Sequence, residues 1–133
     1  MNLEHVFVTG GYNSDGYYST TELLNIKSET WRTRASYPYY SDVRANLPFY
    51  YQQSFIVFGG YDNGRRSSII AQYNPASDSW KKLGDMIVAR SHHTGIRSLN
   101  SFYIYGGYQK STVEVCTITG DSVECVEQDP PYR

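Results

Sequence analysis

The chain has 133 residues, 12 basic against 13 acidic and a net charge of −1. No apolar stretch approaches a membrane-spanning helix. No basic run extends beyond pairs such as Arg65-Arg66 and Lys81-Lys82, so neither a membrane segment nor a nucleic-acid partner is expected. Aromatic residues make up 16% of the chain, with 14 Tyr, which favours half-buried pleated surfaces and an all-β domain.

The apolar runs are short and rich in Val, Ile, Phe and Tyr, and Gly, Asn, Ser and Pro separate them. The first predicted strands cover His5–Thr9, Thr21–Ile26 and Thr30–Arg34. Four more cover Ala45–Tyr51, Ser54–Phe58, Ile69–Tyr73 and Asp78–Lys82. The last four cover His93–Ser98, Phe102–Tyr105, Thr112–Ile118 and Val123–Glu127.

An internal repeat organises these strands. The runs HVFVTGG, SFIVFGG and SFYIYGG each close on a diglycine: Gly10-Gly11, Gly59-Gly60 and Gly106-Gly107. The second diglycine comes 49 residues after the first, and the third 47 after the second. Trp31 stands 21 residues after Gly10, and Trp80 stands 21 after Gly59. At each strand end, Gly permits a turn or a close backbone approach. Tyr73 and Trp80 flank the turn around Ala76-Ser77 and are expected to face each other across two strands. Leu24 takes the Tyr place opposite Trp31. In the third unit Cys116 takes it, and no Trp follows. Their fixed place in the repeat marks Trp31 and Trp80 as core candidates.

This combination resembles the kelch repeat, whose unit is one four-stranded blade of a β-propeller, and the resemblance covers nearly the whole chain. It implies a kelch-type β-propeller fragment of about three four-stranded antiparallel blades. Blade 1, residues 1–40, lacks its inner strand. Blade 2 is 41–88 and blade 3 is 89–133. Propellers close with four to eight blades. Three blades therefore belong to a longer propeller, or need a second copy of the chain to complete a ring. Open end blades are expected to leave the isolated chain unstable or self-associating.

Little in the sequence points to catalysis, and no cofactor or metal is expected. His92-His93 is the only histidine cluster, and adjacent strand residues point to opposite faces. With His5 the only other histidine, the three or four ligands of a zinc site are missing. In kelch relatives an Arg followed shortly by His opens the inner strand, as in Arg90-Ser91-His92-His93, which implies a structural role. Galactose oxidase is a kelch-fold copper enzyme, so a fragment of such an enzyme is an alternative, but its site gathers several His and Tyr ligands. No nucleophile–base pair is visible, and no helix start follows the diglycines to hold a phosphate.

Cys116 and Cys125 lie evenly about Gly120-Asp121, a good two-residue turn. Counting back from that turn, 116 faces 125 as a close, non-hydrogen-bonded pair that suits a disulfide. A bridge would place their Cα atoms about 4.4–6.8 Å apart and argue for an oxidising, secreted setting. If the turn keeps the register of the second unit, Cys116 faces Val123 instead. Two packed, reduced thiols in a cytoplasmic protein are then the reading. The start, MNLEHVFVTGG, does not read as a signal peptide.

The candidate binding surface is a set of loops expected on one side of the propeller. The loops YNSDGYYS, YDNGRRSS and YQKS, with SYPYYSDVR, gather Tyr12, Tyr17, Tyr18, Tyr61, Arg65, Arg66 and Tyr108 with Tyr37, Tyr39 and Tyr40. Tyr and Arg are enriched at binding hot spots. An ordinary loop surface in a Tyr-rich chain is the plainer alternative. The expected function is a protein-interaction module or scaffold without catalysis, its partner a protein. The second possibility is a structural segment of a secreted, multi-module protein.

Overall fold

The computed structural model describes residues 4–41, 43–62 and 64–128. Among them are eleven strands. Strands β1 (His5–Asn13), β2 (Gly16–Asn25) and β3 (Thr30–Arg34) form a three-stranded sheet in that order. Strands β4 (Leu47–Tyr51), β5 (Ser54–Asp62), β6 (Arg65–Asn74) and β7 (Ser79–Arg90) form a four-stranded sheet. Strands β8 (Thr94–Ser98), β9 (Ser101–Tyr105), β10 (Val113–Thr119) and β11 (Ser122–Gln128) form another. All neighbours are antiparallel, so the sheets are three successive blades, the first without its inner strand. The ends of the blade 1 and blade 3 ranges, residues 1–3 and 129–133, lie outside the described residues.

The middle blade is buried on both faces, and period-2 alternation divides its side chains. Ile56, Phe58 and Ile70 point toward blade 3 and pack with Phe102, Ile104, Cys116 and Ile118. Val57 and Ala71 point the other way and pack with Tyr37, Tyr40 and Val43. Phe7 of blade 1 enters this second core, stacked 4.3 Å from Phe55 and 5.5 Å from Tyr73. Tyr73 and Trp80 are cross-strand partners with rings 5.1 Å apart, and Leu24 faces Trp31.

The diglycines do not end strands in the first two blades. They sit at bulges within β1 and β5, where the register shifts between Thr9 and Gly11 and between Phe58 and Gly60. The strands then run on to Asn13 and Asp62. Each bulge receives the chain crossing between blades. Gly10 has φ 77°, and a Cβ there would stand 1.9 Å from the Val43 carbonyl oxygen, which Gly11 N–H bonds at 2.6 Å. Gly59 has φ 58°, and its Cβ would meet the Arg90 oxygen at 2.6 Å. No side chain fits either place without moving backbone.

Other expectations need correction. Trp31 is 55% exposed. Among the described residues no sheet covers the outer side of blade 1, so equal spacing does not give equal burial. Strand β7 runs well past Lys82 to Arg90, beyond the boundary drawn at 88, because its second half pairs with the start of β6.

Between blades 2 and 3 lies a fully buried ion pair. Arg90 Nε donates to Glu114 Oε2 at 2.9 Å, and both side chains are 0% exposed. Arg90 also donates to the carbonyls of Gly106 (2.8 Å) and Thr112 (2.9 Å) and to Thr112 Oγ1 (2.7 Å). Glu114 accepts from the backbone N–H groups of Ile87 (2.5 Å) and Val88 (3.1 Å). The pair fastens the end of β7 to the β9–β10 connection.

In the third blade Gly120-Asp121 makes the two-residue turn. Gly120 has φ 60°, and the register runs Thr119–Ser122 to Cys116–Cys125. Ile118, not Cys116, faces Val123. Cys116 and Cys125 are joined by a disulfide. Their Cα atoms are 4.0 Å apart, slightly closer than the 4.4–6.8 Å expected, because a bridged non-hydrogen-bonded pair already holds the strands at their closest approach.

Candidate functional site

The β1–β2 and β5–β6 hairpins and the β9–β10 connection emerge at the same end as the crossings between blades. Tyr61 N–H bonds the Arg44 carbonyl at 2.8 Å, and Tyr108 N–H bonds that of Ser91 at 2.9 Å. Ala45 and His92 both take left-handed backbone, with φ 53° and 55°, and His92 N–H bonds the Ala45 carbonyl at 3.1 Å. These bonds fix the walls of a cavity of about 540 Å³. Tyr12, Arg44, Ala45, Tyr61, Arg66, Ser91, His92 and Tyr108 line it.

The walls are aromatic rings and guanidinium groups in contact. Arg44 lies 4.2 Å from the Tyr17 ring centre, 4.6 Å from Tyr61 and 5.7 Å from Tyr12. Arg66 lies 4.9 Å from the Tyr108 ring and donates from Nη2 to Gln109 Oε1 at 3.2 Å. Such stacking contributes about 0.5–1 kcal/mol at exposed sites and holds long side chains in place. Tyr12, Tyr17 and Tyr108 remain more than half exposed. Tyr18 donates to Asn13 Oδ1 at 3.0 Å, which stiffens the first hairpin.

The structure therefore gathers Tyr12, Tyr17, Tyr61, Arg66 and Tyr108 at one rim. Arg65 stands beside them on the wall of a neighbouring depression with Gly64, Ala89 and Lys110. Arg65 and Arg66 belong to β6, not to a loop, because the hairpin continues past the Gly59-Gly60 bulge and pairs Tyr61 with Arg66. Tyr39 and Tyr40, with Tyr37, are not on this surface. Tyr37 is 2% exposed, and Tyr40 donates its hydroxyl to the Gly59 carbonyl at 2.9 Å. Tyr39 packs edge-on against Tyr37 at 5.3 Å. The crossing between blades 1 and 2 fills the gap between the sheets with these rings.

Sequence reasoning missed Arg44 and His92 as wall residues. The repeat carried a signal: Arg44 and Ser91, 47 residues apart, each offer a carbonyl to the residue just past a diglycine or its successor.

The other histidine is structural. His93 Nε2–H donates to the Phe58 carbonyl at 2.9 Å. Burial lowers its pKa to about 4, with the nearby Arg90 charge acting in the same direction. Its buried Nδ1 has no hydrogen-bond partner, so a second proton there would be buried unpaired. Glu114 lies near the two sulfurs, but bonded cysteines offer no thiolate and Glu114 is engaged by Arg90.

A second cavity of about 540 Å³ opens at the opposite end, between the β2–β3 and β6–β7 turns. Its lining includes Asn25, Arg32, Arg34, Gln52 and Asn74, none of them a sequence candidate. Beside it Arg34 donates to the Tyr73 hydroxyl at 2.9 Å, and Tyr73 donates to Asp78 Oδ1 at 2.7 Å. The Ala35 N–H and the Tyr73 hydroxyl hold the Asp78 carboxyl below its usual range. This network ties blade 1 to blade 2.

Residues 52–87, which hold β5, β6 and most of β7, match the family described as Kelch motif. The chain carries a kelch repeat. The solved structure of YjhT superposes with a TM-score of 0.82 at 14% identity, over 98% of this chain and 50% of that one. The chain thus spans about half the length of that structure, and the likeness is one of fold; with the kelch motif at 52–87, the three sheets are consistent with a kelch-type propeller fragment. No curated protein matches in sequence.

Proposed function

We propose that this kelch-repeat chain is a protein-interaction module without catalysis of its own, which binds its partner on the hairpin face of Tyr12, Tyr61, Arg66 and Tyr108. One observation carries the reading. Tyrosines from all three blades converge on a single cavity, Tyr12 and Tyr108 exposed and Tyr61 half-buried between them, where stacked arginines hold them in fixed positions. Rigid aromatic and Arg anchors lose little entropy on binding, which is why they dominate interface energies. Kelch repeats are generally interaction modules, which supports the same reading. The remaining blades of a longer propeller, or a second copy, would cover the open sides of blades 1 and 3. The bonded cysteines favour an oxidising compartment and with it the second reading, a structural segment of a secreted protein.

The test is affinity capture with the full chain, followed by variants. Tyr61→Ala and Arg66→Ala should lose the partner, while Arg32→Ala at the opposite end should keep it. The reverse pattern overturns the assignment of the face.

A further inference from the structure

The hairpin face carries a charge signature that narrows the partner's chemistry. Among the described residues, none of the eight that line the cavity is acidic, and Arg44, Arg66 and His92 are among them. The adjoining depression shares Tyr61 and Arg66 and adds the cations Arg65 and Lys110, again with no carboxylate among the described residues of its lining. Arg66 therefore stands on the wall between the two hollows. Its Nη2 contacts an exposed amide, Gln109, and its Nε–H is buried with no hydrogen-bond partner. An unpaired buried donor on a cation is costly, and a ligand oxygen removes that cost.

We propose that this face is an acidic-peptide site in which the edge of Arg66 receives a carboxylate of the partner. The inference rests on the binding-face reading above and adds the chemistry of what is bound. A guanidinium presents Nε–H and Nη2–H in one plane at the spacing of the two carboxylate oxygens, so the pair forms two parallel, charge-assisted bonds. Gln109 is the neutral occupant that an incoming carboxylate displaces. Stacking on Tyr108 holds the fork in orientation before the ligand arrives. Arg65 and Lys110 raise the local positive potential and favour an acidic segment over a neutral one. The exposed rings of Tyr12 and Tyr108 offer flat apolar contact to residues beside the carboxylate. An oligonucleotide fits less well. It needs cations that track a backbone along a groove, whereas here Arg65, Arg66 and Lys110 cluster on one side of one cavity.

The probes are an array of short random peptides and oligothymidylate, applied to the full chain. The bound peptides should be enriched in Asp and Glu. Affinity for the best acidic peptide should fall about tenfold or more with Arg66→Ala, the loss expected for hydrogen bonds to a charged group. Arg66→Lys keeps the charge without the fork and should recover only part of the affinity. Replacing Glu by Gln in the peptide should lose as much as Arg66→Ala, and Arg32→Ala should change nothing. Neutral or basic peptides bound through Tyr61 would overturn the acidic assignment and leave the binding face standing. Preferred binding of oligothymidylate would also overturn it. No peptide bound through this face would overturn both readings together.

Discussion

Glu114→Ala tests the buried ion pair that joins blades 2 and 3. The substitution leaves the Arg90 guanidinium charged and fully buried, with no counter-ion on Nε. Breaking such a pair from one side costs about 3–5 kcal/mol, because the remaining charge has lost its compensation. The N–H groups of Ile87 and Val88 lose their acceptor as well. A loss of this size is a large fraction of the ~5–15 kcal/mol that holds a typical domain together. A milder variant is therefore needed. Thr112→Val removes only the Oγ1 acceptor of Arg90 Nη2 and should cost about 1.5–3 kcal/mol, the range for a hydrogen bond to a charged group. The decisive comparison is Glu114→Leu, Arg90→Met and the double variant, each followed by urea denaturation through Trp fluorescence. The double variant should be more stable than additivity allows by about 1–3 kcal/mol, since it buries no unpaired charge. It should still fall below the parent chain, because the Gly106 and Thr112 carbonyls lose their donor. Additive losses, or a Glu114→Ala cost below about 1 kcal/mol, would refute the reasoning.

The remaining expectations are more compact. His93 is neutral when folded, with a pKa of about 4 against an ordinary 6.5. Below pH 6.5 the unfolded chain takes up the proton first, so stability is full above that value and is lost as pH falls toward 4. The loss should reach about 3 kcal/mol at most. Denaturation midpoints should slope across this window in the parent and flatten in His93→Gln, and equal slopes would contradict the assignment. Trp80→Ala should cost about 3 kcal/mol or more, since its ring packs on Tyr37 and Tyr73 and its N–H bonds the Ala35 carbonyl at 2.7 Å. Trp31→Ala should change the melting midpoint far less, because that ring is 55% exposed. The Cys116–Cys125 bridge closes a short loop, and reducing it should cost about 2–3 kcal/mol. Two reactive thiols in denatured, unreduced protein from its native compartment would exclude the bond.

The strand plan was legible because it is local. Short β-branched and aromatic runs and two-residue turns declare themselves over a few positions, and the diglycine and Trp spacing supplies the blade period. Burial was less legible because it depends on which sheet faces which. Tyr37, Tyr39 and Tyr40 read as loop residues, yet the crossing that carries them is folded between two blades. Arg65 and Arg66 read as loop residues because a diglycine looks like a strand end, and only the pairing of Tyr61 with Arg66 shows the strand continuing. Glu114 had one signal available. It alternates with Cys116 and Ile118 on the buried face of β10, where a lone acid needs a partner. That partner, 24 residues earlier, left no local trace. The cavity rim was legible as composition, whereas its convergence required the crossing bonds at Arg44, Ala45 and Ser91.

The binding face is most directly tested by amide hydrogen exchange on the full chain, with and without its captured partner. Protection is expected at Tyr12–Tyr17, Tyr61–Arg66 and Tyr108, with Asn25–Thr30 and Asn74–Ser79 at the opposite end unchanged. Protection confined to those opposite turns, with the hairpin face still exchanging freely, would contradict the proposed function.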